Sequence, residues 1–179
     1  MSFFQNLKCD LLRHAPNNSK RKILKAIFFN HAFHLVFFIR LGSLLRDVPI
    51  FGGALGLGIE YFIRIFFSSD ISCRAKIGPG INIMHGHGIV IGSGVNIGSN
   101  CKIFDSTSFG NKDTETTVVA QPIIKDHCII GTGAKIIGKI TIGENSIIGA
   151  NSVVVTDIPS NSVAAGVPAR VIKKNISRL

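Results

Sequence analysis

DISCRAKIGPGINIMHGHGIVIG, residues 70–92, decides the fold. Isoleucine stands at 71, 77 and 83 and again at 91, so a branched aliphatic recurs every six residues with one longer step. Followed outward, the series continues through Ile97, Ile103 and Phe109. It resumes after an interruption with Ile124, Ile130, Ile136, Ile142, Ile148 and Val154. Glycine often follows the anchor, at Gly78, Gly92, Gly98, Gly131, Gly143 and Gly149. Small residues recur four places after it, at Ala75, Val95, Cys101, Ala134, Ser146 and Ser152. A period of six matches neither the 3.6 of a helix nor the 2 of a strand. It marks a left-handed parallel β-helix, in which three hexads close a triangular coil of about 18 residues. The anchors point into the prism, and successive coils stack about 4.8 Å apart, as neighbouring strands do. The series predicts slightly more than four coils.

Around this repeat the composition shifts. The chain has 179 residues, 46% of them hydrophobic and 17% charged, which excludes disorder and allows a sizeable core. With 20 Lys+Arg against 10 Asp+Glu its net charge is +10, which implies anionic partners. There is no Trp and one Tyr, and the cations are not interleaved with aromatics, so nucleic acid is not among those partners. Cys9, Cys73, Cys101 and Cys128 form no CxxC pair or zinc spacing and read as reduced thiols of a cytoplasmic protein. Residues 1–69 hold 11 of the 13 Phe but only 5 of the 19 Gly and carry net +6. This Phe-rich basic segment reads as helical. One helix runs from about Lys20 to Arg46, capped by Asn17, Asn18 or Ser19, and a second covers Ala54–Phe67. Lys25, Arg40, Glu60 and Arg64 would cost roughly 2.5–3.5 kcal/mol each at a bilayer centre, which argues against a span. Two readings of the Phe face stay open. It packs against protein, or residues 1–67 contact the inner face of the membrane peripherally, with Arg13, Lys20, Arg21, Lys22 and Lys25 meeting anionic headgroups. The expected units are thus the helical segment 1–69, the β-helix domain 70–166 with a loop at 110–122, and a tail at 167–179.

Function in repeat proteins sits where the repeat breaks. The first break is the eight-residue step that holds Met84-His85-Gly86-His87-Gly88; the second is GNKDTETTVVAQ, residues 110–121. A His in a Gly-flanked bulge has an accessible imidazole.

The stretch at 70–92, the run IIGTGAKIIGKITIGENSIIGANSVV at 129–154 and the ending AAGVPARVI at 164–172 resemble the hexapeptide-repeat acyltransferases. The resemblance is to the serine acetyltransferase branch and its polysaccharide O-acetyltransferase relatives. NHAFHLVFFIRLGSLL, residues 30–45, weakly resembles the helical lead-in of that branch. The resemblance implies acetyl-CoA as co-substrate, no metal, and a homotrimer with active sites at subunit interfaces. It implies His85 as general base, held by Asp70 from the preceding coil; a separation close to one coil suits adjacent rungs of one wall. A backbone N–H near Gly110 would stabilise the oxyanion. Candidate walls for the coenzyme are Gly110, Gly131, Ala134, Ala150 and Ala165, with Arg170, Lys173 and Lys174 as candidates for its phosphates or as a solvated basic tail. Val167-Pro168-Ala169 reads as a hinge where the chain leaves the prism. A zinc site would need three convergent His, and His85, His87 and His127 match that poorly.

The candidate acceptor residues are Met84, His87 and Gln121. In serine acetyltransferases an acidic residue precedes the bulge His, an Arg-His pair precedes the Pro that restarts the repeat, and a His lies two places after the Asp. Here those positions hold Met84, Ala120, Gln121 and Ser72. Without them a zwitterion lacks charge partners, and buried unpaired charge is costly. The expectation from sequence is therefore O-acetylation of a saccharide in surface polysaccharide synthesis. Serine O-acetylation for cysteine synthesis is the alternative, and a non-catalytic β-helix scaffold the alternative of another class.

Overall fold

A computed structural model describes residues 2–15, 19–112 and 120–175. Asn17, Asn18 and most of the 110–122 loop lie outside the described residues, as does the end of the tail.

Each of the thirteen anchors sits on a short strand: β1 (Asp70–Ile71), β2 (Lys76–Ile77), β3 (Asn82–Ile83), β4 (Val90–Ile91), β5 (Asn96–Ile97), β6 (Lys102–Ile103), β7 (Ser108–Gly110), β8 (Ile123–Ile124), β9 (Ile129–Ile130), β10 (Lys135–Ile137), β11 (Thr141–Ile142), β12 (Ile147–Ile148) and β13 (Val153–Val154). Two more follow, β14 (Val163–Gly166) and β15 (Ala169–Lys173). Every third strand joins the same sheet, giving walls β1-β4-β7-β10-β13, β2-β5-β8-β11 and β3-β6-β9-β12-β14-β15. Pairing is parallel and anchor meets anchor: Ile71↔Ile91↔Phe109↔Ile136↔Val154 on the first wall. Because the anchor alternates with an outward neighbour, this register stacks buried aliphatics up the inside of the prism.

The turns explain a recurrence that the anchors do not. The residue three places after an anchor takes the left-handed conformation: Asn100 (φ 58°), Ser106, His127, Asn145 and Asn151, with glycine doing the same at Gly80 and Gly133. Asn tolerates that region better than most side chains, which is why it recurs at this position. His127 is one of these turn residues and is exposed. The glycine after the anchor has a different cause, the close approach of coils: a Cβ on Gly78 would lie 2.6 Å from the carbonyl carbon of Gly98.

Two expectations need correction here. The chain does not leave the prism at Val167-Pro168. It reverses across that cis bond, and β15 returns antiparallel along β14, pairing Ala165 with Arg170. Nor is there one helix from 20 to 46. Helix α1 (Phe3–His14) starts at Ser2, which forms a capping box with Gln5. Then α2 (Lys20–Phe29) and α3 (His31–Arg46) meet at 71°, and α4 (Gly52–Phe67) follows. The break falls at Asn30, whose Oδ1 accepts from the Phe33 amide and so starts a new helix.

The helices are not a detachable unit. Leu35, Val36, Ile39, Ile63 and Phe67 join Ile71, Ile81, Ile83 and Ile89 in one continuous core, so α3 and α4 close the open end of the prism. Two buried polar contacts fix that lid. Arg40 Nε donates to Asp10 Oδ2 at 2.9 Å and Nη2 to Oδ1 at 3.2 Å, while the guanidinium also donates to the carbonyls of Ile77 and Gly78. Asp10 in turn accepts from the Ile81 amide at 2.9 Å. On α4, Glu60 accepts from the Cys73 amide at 2.7 Å and from the Ser72 hydroxyl. The Phe residues divide: Phe33 and Phe67 are buried, whereas Phe4, Phe28, Phe29, Phe51 and Phe66 are exposed. Among the described residues no single helix is long and apolar enough to cross a membrane. The bent α2–α3 pair reaches that length and composition only jointly.

Candidate active site

The bulge at 84–88 is held from both sides. The Met84 amide donates to the Ile103 carbonyl at 2.8 Å, and the His87 carbonyl accepts from the Ser106 amide at 2.8 Å. The Gly88 amide donates to the Ser68 carbonyl at 3.0 Å. Ser69, which the sequence did not single out, is buried; its hydroxyl donates to the Phe67 carbonyl at 3.0 Å, with the Gly86 carbonyl a longer alternative at 3.4 Å, and accepts from the Ile89 amide. Gly86 is pressed against Ala32 and Leu35 of α3. Two extra residues thus protrude from a rigid wall without loosening it, and His85, with φ 63°, presents an exposed imidazole.

His87 is not a solvated bystander. Its ring stacks on His31 at the start of α3, with centroids 4.7 Å apart and planes 26° apart, and His31 packs in turn on Phe67 at 4.5 Å. Burial, then the neighbouring His87 and His34, lower the His31 pKa, so this ring is neutral at pH 7. Lys22 and Lys25 of α2, with His31, His85 and His87, line a cleft of about 550 Å³. Met84 lies in an adjoining cleft with His85 and Lys102. His14 of α1 borders both clefts; burial lowers its pKa, against the opposing pull of the Asp10 carbonyl and carboxylate.

Three expected contacts are absent or differ. Asp70 points outward from β1, and its Oδ1 accepts from Arg64 Nη2 at 2.7 Å; no hydrogen bond joins it to His85. Arg64, on the last turn of α4, reaches it first. Gln121 does not face an acceptor: its Oε1 accepts from the Gly94 amide at 2.8 Å and staples one coil to the next. Ala134 is fully buried inside the prism and cannot line a coenzyme groove, because the small residue four places after an anchor fills the interior of the corner.

Other coenzyme candidates do converge. Ile130, Ile148 and Ala164 are register partners, so Gly131, Gly149 and Ala165 follow one another down the edge of one wall, with Ala150 one residue past that row. A Cβ on Gly131 would lie 2.7 Å from the Ala150 amide nitrogen, so backbone is the surface there. Arg170 pairs with Ala165 and is exposed, as is Lys173, the partner of Val163. Gly110 lies on a different wall, with open space where its Cβ would be. An accessible imidazole and, two rungs along the same wall, a narrow backbone-lined strip that ends in cations suit a pantetheine arm and its phosphates.

A triangular prism of hexads with an exposed His in its bulge is the architecture of a hexapeptide-repeat transferase. The family model described as bacterial transferase hexapeptide (six repeats) matches residues 121–156. The serine acetyltransferase of Bacillus licheniformis is 33% identical over 174 residues, covering 97% of this chain and 79% of the relative. The chain also spans about half the length of several other curated relatives it matches. Among solved structures, soybean serine acetyltransferase complexed with serine superposes with a TM-score of 0.87 at 30% identity, covering 96% of this chain and 70% of that one. Serine acetyltransferase in complex with coenzyme A from Brucella abortus gives 0.84 at 26% identity, covering 98% and 70%. The chain belongs to the serine acetyltransferase family, and its prism is a left-handed parallel β-helix. These matches overturn the saccharide expectation. That expectation sought charge partners only at Met84, Ala120, Gln121 and Ser72, whereas the fold brings Lys22 and Lys25 of α2 to the cleft beside His85.

Proposed function

We propose that this protein transfers the acetyl group of acetyl-CoA to the hydroxyl of L-serine, the step that commits serine to cysteine synthesis. It is an acetyl-CoA-dependent acyltransferase. The observation that carries the acceptor is identity to a serine acetyltransferase along nearly the whole chain, helices included. Acetyl-CoA supplies an activated thioester; the remaining work falls to the protein.

His85 takes the proton from the serine hydroxyl as its oxygen attacks the thioester carbonyl, and returns that proton to the departing sulfur. No acyl-enzyme is needed, and among the described cysteines three are buried inside the fold. Asp70 orients the imidazole by exchanging Arg64 for His85. An exposed ion pair is weak and exchanges readily. Gly131, Ala150 and Ala165 admit the pantetheine arm, with Arg170 and Lys173 meeting its phosphates. A second prism completes that groove, which makes the working unit a homotrimer.

The test is thiol release from acetyl-CoA with L-serine, in wild type and His85→Ala. Loss of the base lowers kcat roughly 10²–10⁴-fold. Absence of turnover with L-serine in the wild type refutes the reading.

A further inference from the structure

Helix α2 has two faces. Ala26 is its buried contact, and Lys22, Lys25 and Phe29 lie on the side of the cleft. Leu24, Ile27 and Phe28 point away and are exposed. Lys22 and Lys25 are one turn apart and therefore share a face. Among the described residues neither has a carboxylate partner. Among the described residues no Asp or Glu lines the cleft, so the fixed charge they give it is positive. The first residues of α3, Asn30 to Ala32, also line it, which adds the positive end of a sixteen-residue helix. His31 is packed between Phe67 and His87, and its burial favours the neutral ring. Two cations without partners, facing a cleft that holds the base, make an anion subsite within reach of the reacting hydroxyl.

We infer that this cleft reads the acceptor through its carboxylate, held by Lys22 and Lys25, and leaves the amino group unread. The inference rests on the proposed transfer to serine and goes beyond it. It makes the enzyme a β-hydroxy carboxylate O-acetyltransferase whose acceptor need not carry an ammonium group. A zwitterion-specific site would set an acidic side chain against the ammonium. Here the position before the base is Met84, and the cleft offers none.

Thiol release from acetyl-CoA by the full chain separates the cases, with L-serine, 3-hydroxypropionate and L-serinamide as acceptors. The variants are Lys22→Met and Lys25→Met, which keep an unbranched side chain and remove the charge; thermal unfolding confirms that each is folded. The expected result is 3-hydroxypropionate within roughly tenfold of L-serine in kcat/KM, and L-serinamide lower by roughly a hundredfold. In each variant the KM for L-serine rises about tenfold, with little change for L-serinamide. L-serinamide matching L-serine, or variants with unchanged KM for L-serine, overturns the carboxylate subsite and leaves serine transfer standing. Turnover of 3-hydroxypropionate without L-serine overturns the serine reading and keeps the subsite. Turnover of none of the three overturns both.

Discussion

Replacing Asp10 with Ala removes the contact that fastens the helical lid to the prism. Asp10 is fully buried and accepts three hydrogen bonds, two from Arg40 and one from the Ile81 amide. Without it, Arg40 stays buried with only the Ile77 and Gly78 carbonyls as acceptors, and its charge loses its counterion. Breaking a buried pair from one side costs about 3–5 kcal/mol. At about 2–4 °C per kcal/mol for a chain of this size, Tm falls by roughly 6–20 °C. Circular dichroism melts at pH 7 measure it. The paired variant Asp10→Leu/Arg40→Met discriminates charge from packing. It removes both ions, leaves no uncompensated charge, and recovers most of the loss. An Asp10→Ala protein melting within about 2 °C of wild type, or a double variant no better than the single, refutes the reasoning.

Three further outcomes follow from the same contacts. Asp70→Asn lowers kcat roughly tenfold or more, while Arg64→Gln, which frees the carboxylate, leaves kcat at or above wild type; full kcat in Asp70→Asn removes Asp70 from the mechanism. Phe109→Ala, at a fully buried anchor where two rungs meet, costs about 3–5 kcal/mol in urea unfolding. Because burial lowers the His14 pKa below 6.5, the unfolded chain binds the proton that the folded chain rejects. Stability is therefore full above pH 6.5 and declines as pH falls below it, and His14→Gln flattens that decline in denaturant titrations.

The prism was legible because its cause is periodic. Twelve of the thirteen anchors are buried and Ile77 is partly so, and that repetition outweighs local ambiguity. The bulge that exposes His85 was legible because an insertion breaks the period. What stayed hidden was whatever depends on contact between distant segments. Asp10 is an ordinary helix residue until Arg40 and Ile81 surround it, and nothing in the sequence joins Lys22 and Lys25 to His85 until the turn at Asn30 brings α2 to the same cleft. Gln121 looked like a replacement for a substrate-binding residue but is consumed by the Gly94 amide. Ser69 carried no pattern at all; its place follows only from the crossing of the lid and the bulge.

The site is therefore assembled by the lid as much as by the β-helix. The prism alone supplies His85, the proposed base, on a rigid wall and the narrow strip proposed for the coenzyme. Both are generic to a thioester-using enzyme, and neither identifies the hydroxyl to be acylated. The proposed acceptor side is built by α1, α2 and α3, which bring His14, Lys22, Lys25 and His31 to one cleft with His85 and His87. The same helices share the prism's core through Leu35 and Val36 and are fixed by Asp10–Arg40. Stability and acceptor choice are consequently coupled in one element. A change that loosens the lid shifts the proposed acceptor contacts first and His85 last, because the bulge keeps its hydrogen bonds to Ile103 and Ser106 of the next coil even where its contact with Ser68, at the end of α4, weakens. A lid-destabilised protein should lose serine affinity at temperatures where the prism is still intact, so KM rises before kcat falls.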